Sequence, residues 1–164
     1  MQTGKTDLKT PNKICWMGVR GLGWHRLRHA IEAEVLIGTP PSIIVVHLGG
    51  NDLVNHSVWQ IRNIMYRELR YQRTAFPTCL LIWVDILPRR LWSGADNVKA
   101  VDNKRKRINR LGRKLVLASG HGDVLSCDIQ QEDGFFGSDG IHLNEVGLEF
   151  YLDALRDTII KHCS

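Results

Sequence analysis

The stretch Ile43-Ile44-Val45-Val46-His47-Leu48-Gly49-Gly50-Asn51-Asp52 decides how the rest of the chain is read. Its apolar residues are continuous, not alternating, and two glycines follow at once. A continuous apolar run of this length fits a strand covered on both faces, as in a parallel sheet packed between helices. Comparable runs occur at Ile14-Cys15-Trp16-Met17, Cys79–Val84 and Asp123–Cys127, so four strands are expected.

The intervening segments carry helical spacing. Trp24, Leu27, Ile31 and Val35 recur on one face before Gly38, and the Pro40-Pro41 pair stops that helix from running into the next strand. Val58, Ile61, Met65 and Leu69 repeat the pattern. A third helix is expected from about Asn97 to Ala118, with Val98, Val101, Ile108, Leu111 and Leu115 inward and most basic residues outward. A fourth begins at Asn144, a residue suited to capping, and its stripe is read as Leu148, Leu152, Leu155 and Ile159, ending at Lys161. Alternating strands and helices imply right-handed crossovers and a three-layer αβα, flavodoxin-like, mostly parallel sheet. In such a fold a site lies at the carboxyl ends of the strands.

With 164 residues and 43% apolar content, the chain has material for one core. We read residues 14–164 as a single domain and the polar residues 1–13 as a disordered N-terminal segment. No run approaches the roughly 18 apolar residues of a membrane span, and MQTGKTDLKTPNK has no apolar core of a secretory signal, so an intracellular location, cytoplasmic or nuclear, is expected. Cys15, Cys79, Cys127 and Cys163 lack CxxC spacing, which argues against zinc and leaves four idle or buried thiols. His25, His29, His47, His56, His121 and His162 have no ligand-like spacing and read as surface or packing residues, so neither metal nor cofactor is implied.

Two clusters fall where the fold rule puts a site. Gly49-Gly50-Asn51-Asp52 turns directly out of a strand, with Asn51 able to aim its amide into a cleft or to make an ordinary Asx turn. Ser138-Asp139-Gly140-Ile141-His142-Leu143-Asn144 leads into the last helix. There Asp139 and His142 are close enough for the carboxylate to fix the imidazole tautomer and leave its other nitrogen free as a base, or for both to satisfy the backbone of a helix-entry loop.

Taken together and in this order, the clusters resemble the SGNH (GDSL-type) hydrolase superfamily over most of the chain. Gly49-Gly50-Asn51-Asp52 is similar to its GxND block and Asp139…His142 to its DxxH block, while Trp16-Met17-Gly18-Val19-Arg20-Gly21 stands where its glycine block would. The resemblance implies an esterase acting on a small ester, His142 as base, Asp139 as its orienter, and Asn51 with the Gly21 N–H as oxyanion donors. Such donors are commonly worth a few kcal/mol of barrier each. The wording WMGVRGLGWHRL, VVHLGGNDL and SDGIHLNEVG also resembles SGNH-like domains of vertebrate retroelement-derived proteins, whose parent would be a lipid-type or acetyl-type esterase or a noncatalytic remnant.

One part of that pattern is missing. The family begins with a strand ending in a Gly-Asp-Ser-like turn that supplies the nucleophile, whereas the residues before Ile14 are polar and contain no serine. Ser42, Ser57, Ser93, Ser119, Ser126, Ser138 and the cysteines do not follow such a strand, so the nucleophile is unassigned and the site is read as inactive in this chain. The lost strand would lie between the Ile14 and Ile43 strands, and single core truncations alone cost roughly 2–5 kcal/mol. Either those two strands pair directly or the isolated chain folds poorly. A competing reading takes Lys99, Lys104, Arg105, Lys106, Arg107, Arg110, Arg113 and Lys114, with Arg89-Arg90, as a basic binding face for nucleic acid or a protein partner, although such faces are usually solvated surface.

Overall fold

The computed structural model describes residues 8–11, 13–35, 38–131 and 134–163. Along the chain the elements are α1 (Trp24–Val35), β1 (Ile43–Val46), α2 (Val58–Ala75), β2 (Leu80–Val84), α3 (Val98–Leu117), β3 (Gly122–Leu125) and α4 (Glu145–Ile160). The strands pair in the order β1-β2-β3, all parallel, with Ile43 opposite Leu80 and Leu81 opposite Gly122. Every residue of the central strand β2 is buried. Its side chains alternate between two cores, as the pleat requires. Leu81 and Trp83 pack with Trp24, Ile61, Met65 and Ile108 from α1, α2 and α3, and Leu80, Ile82 and Val84 pack with Tyr151, Leu155 and Ile159 of α4. The result is a three-layer α/β fold.

Local chemistry sets the helix starts. Ser57 and Gln60 form a reciprocal capping box on α2, with Ser57 Oγ accepting from the Gln60 N–H at 3.2 Å and Gln60 Oε1 from the Ser57 N–H at 2.8 Å. Asn97 accepts from the Ala100 N–H and Asn144 from the Gly147 N–H, each at 2.9 Å. The start of α1 borrows its partner from elsewhere. Asp52, buried in the turn after β1, accepts from the Trp24 N–H at 3.3 Å, placing a carboxylate at the positive end of the helix.

Two expectations need correcting. Ile14–Met17 forms no strand. It lies across a groove from β1, and an extended segment becomes a strand only when a neighbour is within hydrogen-bonding distance. The direct pairing of these two segments therefore does not occur, and a cavity of about 610 Å³ separates them. In α4 the buried stripe is Gly147, Tyr151, Leu155 and Ile159, while Leu148 is 46% exposed. Gly147 is the inward residue because any side chain there would run into the Phe135 backbone carbonyl, and this turns Leu148 outward. The side chain of Val35 and residues 1–7 lie outside the described residues, whereas Leu8 is buried against the α4 core.

The basic outer face of α3 is not all free surface. Lys104 Nζ donates to the carbonyls of Leu53 (2.7 Å) and His56 (2.8 Å), fastening the helix to the chain that follows the Asn51 turn. Arg105 donates to Asp102 (2.6 Å) and to the Ile86 carbonyl (2.9 Å), and Arg113 pairs with Asp85 and Ser126. Among the described residues, no helix is long and apolar enough to cross a membrane.

Candidate active site

The turn Gly49–Asp52 leaves β1 at its carboxyl end. Gly49 has φ of +113°, and a Cβ there would lie 3.0 Å from both Trp24 Nε1 and Ile86 Cδ1, so only glycine fits both the conformation and the space. The turn is stitched to the Gly21 loop by two bonds. Asn51 Nδ2 donates to the Leu22 carbonyl at 3.0 Å, and Asp52 holds the Trp24 N–H. Burial, opposed by the Trp24 N–H and the nearby His56 and His25, raises the Asp52 carboxyl above its ordinary value. Gly21 is exposed with φ of +67°, and its N–H makes no hydrogen bond among the described residues. The second Nδ2 proton of Asn51 also remains available, since an amide nitrogen carries two donors.

The Asp139–His142 loop is internally braced. Asp139 Oδ1 accepts from the N–H groups of Ile141 (2.9 Å) and His142 (3.0 Å), and Asp139 Oδ2 lies 2.6 Å from His142 Nδ1. The His142 bond, followed by the two backbone donors, holds the Asp139 carboxyl well below the usual carboxylate range. It is therefore an anion at neutral pH. An anion on Nδ1 selects the tautomer protonated there and leaves Nε2 with its lone pair. His142 is 81% exposed by side chain, and Nε2 has no protein partner among the described residues.

One segment joins the two clusters. The Arg89 guanidinium lies so close to Gly50 that a Cβ on Gly50 would be 2.7 Å from Arg89 Nη2. The next residues, Arg90 and Leu91, donate their N–H groups to the Gly140 carbonyl at 2.8 and 3.3 Å. Gly50 and Gly140, one from each cluster, thus both contact the short stretch that follows β2. Arg89 also stacks over Trp92 at 4.7 Å, and Gln131 Nε2 donates to its carbonyl at 2.5 Å.

From the sequence, Arg89 was read only as part of a basic binding face and His47 as a surface or packing residue. His47 follows β1 directly, and Tyr151 Oη lies 2.8 Å from its Nδ1. Crowding by its surroundings and the Arg89 charge lower the imidazole to about 4, although by surface area the residue is exposed. The ring also lines the groove beside β1. A histidine directly after a strand was the one available signal, and it is common to many packing histidines.

Several of the alternative nucleophiles are already engaged. Ser57 caps α2, Ser119 Oγ donates to the Val116 carbonyl, and Ser126 Oγ donates to Asp85 at 2.9 Å. Burial pushes the thiols of Cys79 and Cys127 up to about 11, so neither is a thiolate at neutral pH. No described serine or cysteine is hydrogen-bonded to His142.

No protein-family model and no curated protein matches the sequence. Solved structures do resemble it. A GDSL-like lipase from Bacteroides thetaiotaomicron superposes with a TM-score of 0.71 at 13% identity, covering 87% of this chain and 73% of its own. A protein assigned as a platelet activating factor from Streptococcus pneumoniae gives 0.70 at 20% identity, covering 86% and 70%. A second protein assigned as a GDSL-like lipase, from Parabacteroides merdae, gives 0.61 at 18% identity, covering 88% and 70%. The chain therefore has the three-layer fold of GDSL-like lipases, and each of these proteins extends beyond the matched part.

Proposed function

We propose that this chain carries the base and oxyanion parts of an SGNH-type acyl-ester hydrolase site, with the attacking hydroxyl not supplied by its own described residues. The observation that carries the reading is the 2.6 Å contact between anionic Asp139 and His142 Nδ1 with Nε2 left open. In this reading His142 Nε2 takes the proton of a hydroxyl as that oxygen attacks the ester carbonyl. Asp139 stabilises the imidazolium, the Asn51 amide and the Gly21 N–H stabilise the oxyanion, and the proton passes to the departing alcohol. The substrate class is a small ester in an open, solvent-facing site. The wording shared with SGNH-like domains of vertebrate retroelement-derived proteins fits descent from such an enzyme.

Hydrolysis of p-nitrophenyl acetate tests the incomplete half of this claim. The chain by itself is expected to be no faster than its His142→Ala variant. A drop of tenfold or more on that substitution would place a working nucleophile within these residues and overturn it.

A further inference from the structure

Two helices present outer faces of opposite charge. On α2, steps of three and four residues, which keep to one side of a helix, lead from Trp59 to Arg62, Tyr66 and Arg70. All four are exposed, Trp59 by 69%. The one carboxylate of α2, Glu68, is buried and already takes Arg28 and Arg67, so Arg62 and Arg70 pair with no anion among the described residues. The helix α4 steps in the same way from Val146 to Glu149, Asp153 and Asp157, with Phe150 and Ile160 beside them, and these residues too are exposed. Asp153 and Asp157 share a single cation, Arg156, at 3.0 and 3.5 Å, while Glu149 has none among the described residues. Two negative charges in excess on α4 therefore stand against two unpaired arginines on α2.

Apolar residues scattered singly over a surface need no explanation. A tryptophan and a tyrosine interleaved with arginines are different, because that is the composition of the centre of an interface. An uncharged apolar partner would strip water from both guanidinium groups and offer no counter-charge. An acidic helix with apolar residues between its carboxylates answers both needs, and the chain itself carries one. The match extends to spacing. Arg62 and Arg70 are eight residues apart, as are Glu149 and Asp157, a separation of roughly 12 Å along a helix.

We infer that the α2 face of one copy docks on the α4 face of a second copy. Trp83 of β2 packs with α2 and its neighbour Val84 with α4, so the two helices lie on opposite sides of the sheet. The contact is consequently head-to-tail. Each pair keeps one unused α2 face and one unused α4 face, and assembly continues into an open row or a ring instead of stopping at two copies. None of the contact residues belongs to the Asn51 or His142 clusters, so the inference stands apart from the hydrolase reading.

Sedimentation of the full chain at low ionic strength, where exposed charges are least screened, is the test. The average mass should climb with concentration from 18.7 kDa and pass twice that value. The charge-reversed variant R62E/R70E should need on the order of tenfold more protein to reach the same average mass, as the loss of close charge pairs across an interface requires. Adding E149K/D157K to that variant restores the pairs with their signs exchanged and should return association to the parent level. Rescue by substitutions on a different helix is something a mere folding defect in R62E/R70E would not produce. A chain that sediments at 18.7 kDa at every concentration overturns the inference and leaves the α2 face to an acidic partner of another kind. So does a mass that levels off at a pair, which marks one face meeting itself about a two-fold axis. Assembly of R62E/R70E at the parent's concentrations, or failure of the R62E/R70E/E149K/D157K variant to assemble, overturns it as well.

Discussion

Gly112 faces the indole of Trp83, and a Cβ at that position would collide with the six-membered part of the ring. Trp83 is fully buried and stacked on Trp24 at 6.1 Å, so it has nowhere to move. Gly112→Ala should therefore destabilise the fold by about 1–3 kcal/mol, the usual range for overpacking, despite the better helix propensity of alanine; denaturant unfolding measures it. Asp123 makes the opposite kind of contact. Its bond to His162, at 2.6 Å, with Lys161 at 2.9 Å, holds the carboxyl down to about 2 from an ordinary 3.8. A depressed carboxylate pKa adds stability above the ordinary value, and that stability is lost as pH falls through the folded value. Acid unfolding should show the chain losing stability between about pH 4 and pH 2, and Asp123→Asn should be less stable at pH 7 with a flatter loss in that window. An unchanged acid profile in the variant would contradict the assignment. At this scale the Asp139–His142 contact was readable because the two residues are three apart, and the turn at Asn51 because it follows a strand. The His47–Tyr151 contact was not, since it joins residues 104 positions apart.

Elements were more legible than contacts. The three helix starts at Ser57, Asn97 and Asn144 rest on side chains that cap their own backbone, so the signal is local. The Ile14 run misled because a strand is defined by its neighbour, and among the described residues none pairs with it. Leu148 misled because the close approach of Phe135 to Gly147, a tertiary fact, sets the rotation of α4. For α3 the basic residues counted as one face divide on inspection into structural and solvated ones. With Lys104, Arg105 and Arg113 committed to carbonyls and carboxylates, the helix should not shift a duplex DNA or single-stranded RNA probe even at low ionic strength, where phosphate contacts are strongest. A salt-sensitive shift in an electrophoretic assay would contradict this. Lys104→Met should instead loosen the chain after the Asn51 turn, lowering stability by about 1–3 kcal/mol through two orphaned carbonyls.

Among the described residues the chain is a three-stranded parallel sheet with helices on both faces and an open groove along β1. The fold class was readable from the alternation of apolar runs with helical spacing. The open groove was not readable, because it depends on how far Ile14–Met17 can approach β1. The site claim requires that Asn51 and His142 serve one bound anion. The direct measurement is an NMR titration of the chain with methylphosphonate, which carries tetrahedral anionic oxygens, following the Asn51 side-chain amide and the His142 ring. The account predicts that both move along a single binding curve and that Asn51→Ala weakens binding on the order of tenfold, as loss of a hydrogen bond to a charged group would. His142 shifting alone, with affinity unchanged in Asn51→Ala, would contradict it.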